Sequence, residues 1–419
     1  MLKTLKRYRS ISLFTFSSVF MNMSSMVTGL ITFHWIDPYH MGLWQSLALL
    51  QTYALFLRLG VINGMNRELP YYMGQGNVER ATKYVEVTLF YTLLNIAVFV
   101  LFALGALFFI RIDANNLLPL SGIFIIVALN FYNSYLTSTF RANADFDRLS
   151  YIQIFQGGLR IISILLVVFY GFNGFILREI LITAIITVVT HFARPLKAII
   201  PRFEKQIFID LIKVGLPIFA GSYVLLFLNT IPRLILLKYG SVSLVGIYAP
   251  LYAIIVAINV LPDSISTYLY PKMTHAIGAT NDRLAVWKKA WITHIGIIVM
   301  GIPIVLICLA AFPEFIDHFI PKYHESKSIL NVGIFIALFL SYKFGYTTLI
   351  TLKEWKLIII YIVSFAILQI AAPIILFAFM SVLDAVVMGQ LIASALMVCI
   401  SLLTNYIATH RVNPASLRG

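Results

Sequence analysis

Apolar residues run along this chain in long unbroken stretches, each ended by a short cluster of charged and turn-forming residues. A helix that crosses a bilayer needs roughly 20 mostly apolar residues. The sequence meets that requirement near 11–33, 42–62, 85–110, 120–140, 150–170, 174–193, 208–237, 244–270, 290–311, 329–350, 357–379 and 384–407. A membrane β-barrel would show alternating polarity instead. The pattern therefore predicts an all-α polytopic membrane protein of about twelve transmembrane helices. Spans five and six are parted only by Gly171-Phe172-Asn173-Gly174. Span seven is long enough to be tilted or broken.

Composition agrees. Of the 419 residues, 60% are hydrophobic and 11% charged, against roughly 25% charged in soluble domains. A net charge of +14 would point to nucleic acid in a soluble protein, but here the basic residues sit in short loops between apolar runs. That is how membrane topology is encoded, and nucleic-acid binding is set aside. With the N-terminus inside, the cytoplasmic segments hold 21 of the 31 Lys and Arg, while the opposite loops hold only Arg111, Lys238, Lys322 and Lys327. The bias predicts that both termini are cytoplasmic. The basic start MLKTLKRYRS mimics a signal peptide, but its apolar run reaches Phe33 with no small-residue cleavage site, so it is read as a retained first helix. Cys308 and Cys399 both lie in apolar runs, which leaves no disulfide framework. No His/Cys/Asp/Glu cluster has metal-ligand spacing, and no cofactor is expected.

The basic segment 194–207 divides the spans six and six, giving an N-terminal lobe 1–193 and a C-terminal lobe 208–419. The halves echo each other. MGLWQSLALL (41–50) leads to ELPYYMGQGNVERATK (68–83), and VGIYAPLYAI (245–254) leads to LYPKMTHAIGATNDRLAVWKK (269–289). Each begins with a Gly before a span and ends in a Pro, a Gly-bearing loop and basic residues. Repeats that enter from the same side are related by an axis along the membrane normal, an arrangement found in transporters.

Two stretches carry a family resemblance. LRLGVINGMNRELPYYMGQGNVERA (57–81) and DLIKVGLPIFAGSYVLLFLNTIPRLILLKYGSVSLVGIYA (210–249) resemble the corresponding regions of polysaccharide and O-antigen (Wzx-type) flippases. These belong to the multidrug/oligosaccharidyl-lipid/polysaccharide exporter superfamily. The resemblance implies a MATE-like fold and an inner-membrane protein of bacteria that turns over an undecaprenyl-diphosphate-linked glycan by alternating access. Membrane lipids, a polysaccharide polymerase and a chain-length regulator are the partners it implies, and it implies no enzymatic activity.

Cations inside spans are the candidate site. A charge at a helix centre costs roughly 2.5–3.5 kcal/mol on insertion scales and usually faces a wet cavity or a partner. Arg58, Arg160, Lys213, Arg233 and Lys343 are therefore candidates for binding an anionic headgroup, because Arg offers a bidentate fork to phosphate oxygens. Each has a structural alternative. Arg160 can pair with an acid on a neighbouring helix, and Arg58 and Lys343 can snorkel. Arg178 is read mainly as an interfacial anchor. Asp210, Asp263 and Glu86 are the acids available for ion coupling, with solvated helix ends the plainer explanation, and Asp210 is spaced to pair with Lys213. Pro217, Pro232, Pro250 and Pro262 predict bends in the second half, as hinges or as static kinks. A drug or cation exporter of the same superfamily is the rival function. A membrane polymerase or glycosyltransferase is a third, weakened by outer loops shorter than twenty residues.

Overall fold

The computed structural model describes residues 2–109, 113–196, 199–280 and 282–410. Arg111, Lys197, Arg411 and Arg418 of the charge pattern lie outside the described residues. The helices are α1 (Leu2–Thr32), α2 (Pro38–Ala54), α3 (Val61–Gly74), α4 (Val78–Phe109), α5 (Ala114–Ala142), α6 (Phe146–Ile162), α7 (Ile164–Ala193), α8 (Lys205–Leu228) and α9 (Ile231–Tyr239). They continue as α10 (Val242–Thr280), α11 (Arg283–Phe319), α12 (Ser326–Gly333), α13 (Ile336–Phe339), α14 (Tyr342–Thr351), α15 (Trp355–Leu376) and α16 (Val382–His410). No strand occurs among the described residues. Among the described residues ten helices are long and apolar enough to cross a membrane, or eleven when the bent pair Pro38–Arg58 and Val61–Gly74 is one span. Large apolar side chains such as Phe108 and Phe109, 84% and 83% exposed, point outward. Water would make such faces a liability; lipid tails solvate them.

The chain divides into two compact units, 1–36 with 44–227 and 37–43 with 228–419. The division falls at the end of α8, not at the basic segment, so α8 packs with the first unit. In that unit a core of Val61, Met65, Tyr84, Leu136 and Leu211 joins α3, α4, α5 and α8. A second cluster, Phe140, Leu149, Ile152, Ile182 and Ile186, joins α5, α6 and α7. In the second unit α16 packs along α15, α14 and α11, with Ala385, Val386, Ala393 and Met397 buried.

Two of the helix breaks fall where the backbone turns left-handed. The Gly171 backbone, at φ 56 and ψ −130, interrupts α7. Arg178 donates to the carbonyl of Arg160 at 3.1 Å and to Ser163 Oγ at 3.2 Å. In one straight helix residues 18 apart would stand about 27 Å apart, so the chain reverses at Gly171. The kink falls where the sequence predicts spans five and six to part. The second break is at Leu59 and Gly60, with φ 43 and 78. It bends the pair Pro38–Arg58 and Val61–Gly74 by 53°. This break lies in the first half and at a glycine, in addition to the bends expected at second-half prolines. Span two also runs on past 62 to Gly74, and α5 begins at Ala114, so Pro70 and Pro119 lie inside first-half helices.

In the second unit the glycines of the repeat meet. A Cβ on Gly42 would run into the carbonyl oxygen of Val242, and one on Gly246 into that of Pro38. The start of α2 is thus seated against the start of α10.

Candidate functional site

The Gly60 break frees backbone groups in a membrane helix; away from water each unsatisfied one costs several kcal/mol. α4 supplies the remedy. Tyr91 Oη donates to the carbonyl of Leu57 at 2.8 Å, and Asn95 Nδ2 donates to the same oxygen at 3.0 Å. Gly60 itself packs against Gly215 of α8; a Cβ at Gly60 would lie 2.5 Å from the Gly215 carbonyl carbon. The break therefore rests on α4 and α8, and it places Arg58 in the middle of a bent span.

Arg58 projects into a polar cavity of about 400 Å³ inside the first unit. Its walls are Asn63 and Asn66 of α3 and Asn130, Asn133, Ser134, Thr137, Ser138 and Arg141 of α5, with Ile62 beside them. Arg58 Nη2 donates to Ser134 Oγ at 2.7 Å and to the Asn130 carbonyl at 3.3 Å. Its guanidinium stands 5.6 Å from the centre of the Phe131 ring. Two polar atoms buried there have no partner among the described residues: Arg58 Nε, a donor, and Asn133 Oδ1, an acceptor. No carboxylate lines the cavity.

The remaining candidates are distributed. Arg160 lies 3.3 Å from Glu179, which also holds Arg178 at 2.8 Å. Arg178, read as an interfacial anchor, is in fact 1% exposed. Although adjacent in sequence, it and Glu179 meet because Arg178 bends back across α6. Lys213 is exposed and makes no ion pair among the described residues; Asp210, its expected partner, pairs with Arg80 at 3.8 Å and accepts from Gln206 at 3.4 Å. Glu86 is half-buried on α4, with no ion pair among the described residues. In the second unit Arg233 is buried, stacks 4.4 Å from the Tyr252 ring centre and donates to Tyr252 Oη at 3.3 Å. Tyr248 beside it donates to Gln390 Oε1 at 2.7 Å. Lys343 on α14 and Asp263 on α10 come close enough for their charges to interact. Pro217 lies inside α8, Pro232 in the first turn of α9, where Asn229 and Thr230 break the long span, and Pro250 and Pro262 inside α10.

The amide and hydroxyl residues of the Arg58 cavity were missed in the sequence, yet their signal was there. Asn130, Asn133, Ser134, Thr137, Ser138 and Arg141 recur at three- and four-residue intervals, a polar stripe along one face of a membrane helix.

No family model matches this sequence, and no curated protein matches it significantly. Solved structures do match. An inward-facing multidrug resistance MATE transporter of the MOP superfamily superposes with a TM-score of 0.74, over 93% of this chain and 96% of that one, at 13% identity. The chain has the MATE transporter fold. An outward-facing MATE structure gives 0.65 over 96% of each chain at 14% identity. A MOP superfamily transporter from Pyrococcus furiosus, described as having a binding pocket of reverse polarity, gives 0.57 over 96% of each at 16% identity. The MATE fold and the outward-facing apolar helices together make this a multi-pass membrane protein. These neighbours are transporters. Among the described residues no group of His, Cys, Asp and Glu is arranged to hold a metal.

Proposed function

We propose that this protein is a flippase that moves an undecaprenyl-diphosphate-linked oligosaccharide across the bacterial inner membrane by alternating access. The carrying observation is the Arg58 cavity. A sugar hydroxyl both donates and accepts, so it satisfies Arg58 Nε and Asn133 Oδ1 together; the amides and hydroxyls of α3 and α5 suit the rest of a glycan. Arg58 and Arg141 add attraction for an anionic headgroup. The reading is supported by the sequence resemblance to polysaccharide flippases and by neighbours solved facing inward and outward. In this reading the reversal at Gly171 splits Ile164–Ala193. Its first part continues α6, and with the bent pair the chain has twelve spans, both termini cytoplasmic. Polysaccharide polymerase and chain-length regulator are its expected partners.

The rival drug-exporter reading has one general support, the multidrug transporters among the neighbours. A cationic drug would want acids, and none lines this cavity. The test is a strain in which this protein is the sole flippase for a surface polysaccharide. Depletion should pile up lipid-linked repeat units on the cytoplasmic face. Arg58→Gln at equal membrane expression should cut surface polysaccharide about tenfold, the worth of one charge-assisted hydrogen bond. Normal polysaccharide after clean deletion would count decisively against the flippase. Efflux of cationic dyes by the purified protein would favour the rival.

A further inference from the structure

The second unit holds a buried titratable group that the proposed transport site does not use. His294 of α11 is 1% exposed. Its Nδ1 lies 2.8 Å from the carbonyl of Ala290, one turn back on α11. A carbonyl only accepts, so Nδ1 carries a proton. Nε2 lies 3.0 Å from Ser401 Oγ of α16, and Ser401 Oγ lies 3.3 Å from the carbonyl of Tyr342. That carbonyl also accepts from Tyr361 Oη at 2.7 Å. Tyr342 opens α14 just after a break. Ile336–Phe339 and Tyr342–Thr351 are separate helices. Tight three-residue bonds close the turns around them: Ala337 N donates to the Ile334 carbonyl at 3.0 Å, Lys343 N to that of Leu340 at 3.2 Å, and Phe344 N to that of Ser341 at 3.0 Å. Tightening of this kind inside a long span often marks a hinge. Two buried polar atoms at α14 and α16, Ser341 Oγ and Asn405 Oδ1, have no partner among the described residues.

We propose that His294 is a proton-binding site whose occupancy sets the hydrogen bonding of this helix break. The reason is a count of hydrogens. Ser401 has one hydroxyl hydrogen. With a neutral imidazole Nε2 only accepts, so that hydrogen points at Nε2 and the Tyr342 carbonyl goes without it. When one proton from solvent binds Nε2, the new N–H donates to Ser401 Oγ, and the hydroxyl hydrogen turns to the Tyr342 carbonyl. All three contacts are hydrogen bonds at once only in that form. Imidazole is the side chain whose ordinary titration falls between about pH 5 and about pH 8. No acid bonds to it among the described residues. The Phe344 ring of α14 stands 6.0 Å from the imidazole, edge to face. α13 brings only apolar side chains. The charges of α10 and α14 that come together, Asp263 and Lys343, act on each other. On α16, Tyr406 and His410 stack together and Asp384 bonds to Ser381. Lys327 of α12 is held at 2.6 Å by Asp317, about 35 Å along α11 from His294. The carbonyl dipoles of Ala290 and, through Ser401, Tyr342 therefore answer the added charge. This inference does not depend on what the protein carries.

The test is hydrogen–deuterium exchange of the full-length protein in detergent, read by mass spectrometry across that pH range. Each rate is corrected for the intrinsic pH dependence of amide exchange. Wild-type protein should protect the amides of 340–346 about tenfold more at the acid end than at the alkaline end, the worth of one charge-assisted hydrogen bond. His294→Gln keeps a donor and an acceptor but does not titrate, and its profile should be flat. Ser401→Ala keeps the imidazole and removes the relay, and should be flat as well. His318→Gln, which alters an exposed histidine of the same helix, should behave as wild type. A flat wild-type profile, a wild-type profile in His294→Gln or Ser401→Ala, or a flat one in His318→Gln would overturn the proposal. Should His294→Gln fail to fold, the wild-type and Ser401→Ala profiles decide.

Discussion

At the scale of single residues, the cations within the helices divide by what answers their charge. Arg178 and Arg160 share the carboxylate of Glu179, and Arg178 adds a carbonyl and a hydroxyl. Among the described residues Arg58 has only neutral acceptors and an aromatic ring. A pair that shares an acid is a structural device, whereas a cation left with neutral partners beside a cavity is available to a ligand. Removing one member of a buried ionic group leaves the other charge uncompensated. Arg178→Met should therefore destabilise the protein by about 3 kcal/mol. The check is its melting temperature in detergent. A fall no larger than that of Lys213→Met, an exposed cation, would refute the structural role. Arg58→Gln should melt close to wild type while losing transport.

At the scale of elements, the bent span of α2 and α3 is the feature on which the candidate site depends. Its break needs a left-handed residue, a carbonyl answered by α4, and a neighbouring helix able to approach the backbone. Gly60 and Gly215 meet the first and third needs, Tyr91 and Asn95 the second. An alanine at Gly60 costs about 1–2 kcal/mol from the left-handed backbone alone, and more because its Cβ collides with Gly215. Gly60→Ala should therefore lower the melting temperature and impair transport together. Gly158→Ala, on α6 with open space around its Cβ, should be neutral or stabilising by about 0.5–1 kcal/mol. A Gly60→Ala protein that melts like wild type would show the break to be dispensable. The Leu-Gly pair at 59–60 was plain in the sequence, but it was read as the tail of a span. Nothing local says whether a helix resumes after a glycine; that depends on whether neighbours satisfy the groups it frees.

At the scale of the whole molecule, membrane residence and the orientation expected from the sequence are both sums over the chain. Insertion energy adds up residue by residue along a span, and the positive-inside bias adds up over loops. Both are local quantities, so the helices were legible, as was the reversal near Gly171. The orientation predicts that fluorescent-protein fusions at either end will fluoresce and that periplasmic phosphatase fusions at the same ends will be inactive. The opposite pattern at both ends would invert the topology.

What the sequence by itself determined is therefore the membrane class of the protein and the approximate positions of most of its apolar helices. What only the tertiary structure decided is which partner each charge has. It sent Asp210 to Arg80 rather than Lys213, buried Arg178 where an interfacial anchor was expected, and brought the stripe on α5 to face Arg58. The reason is physical. Burial in lipid is determined by a residue's own segment, whereas an ion pair or a cavity is made by groups far apart in the chain. Their meeting depends on where helices break and how closely their backbones pass.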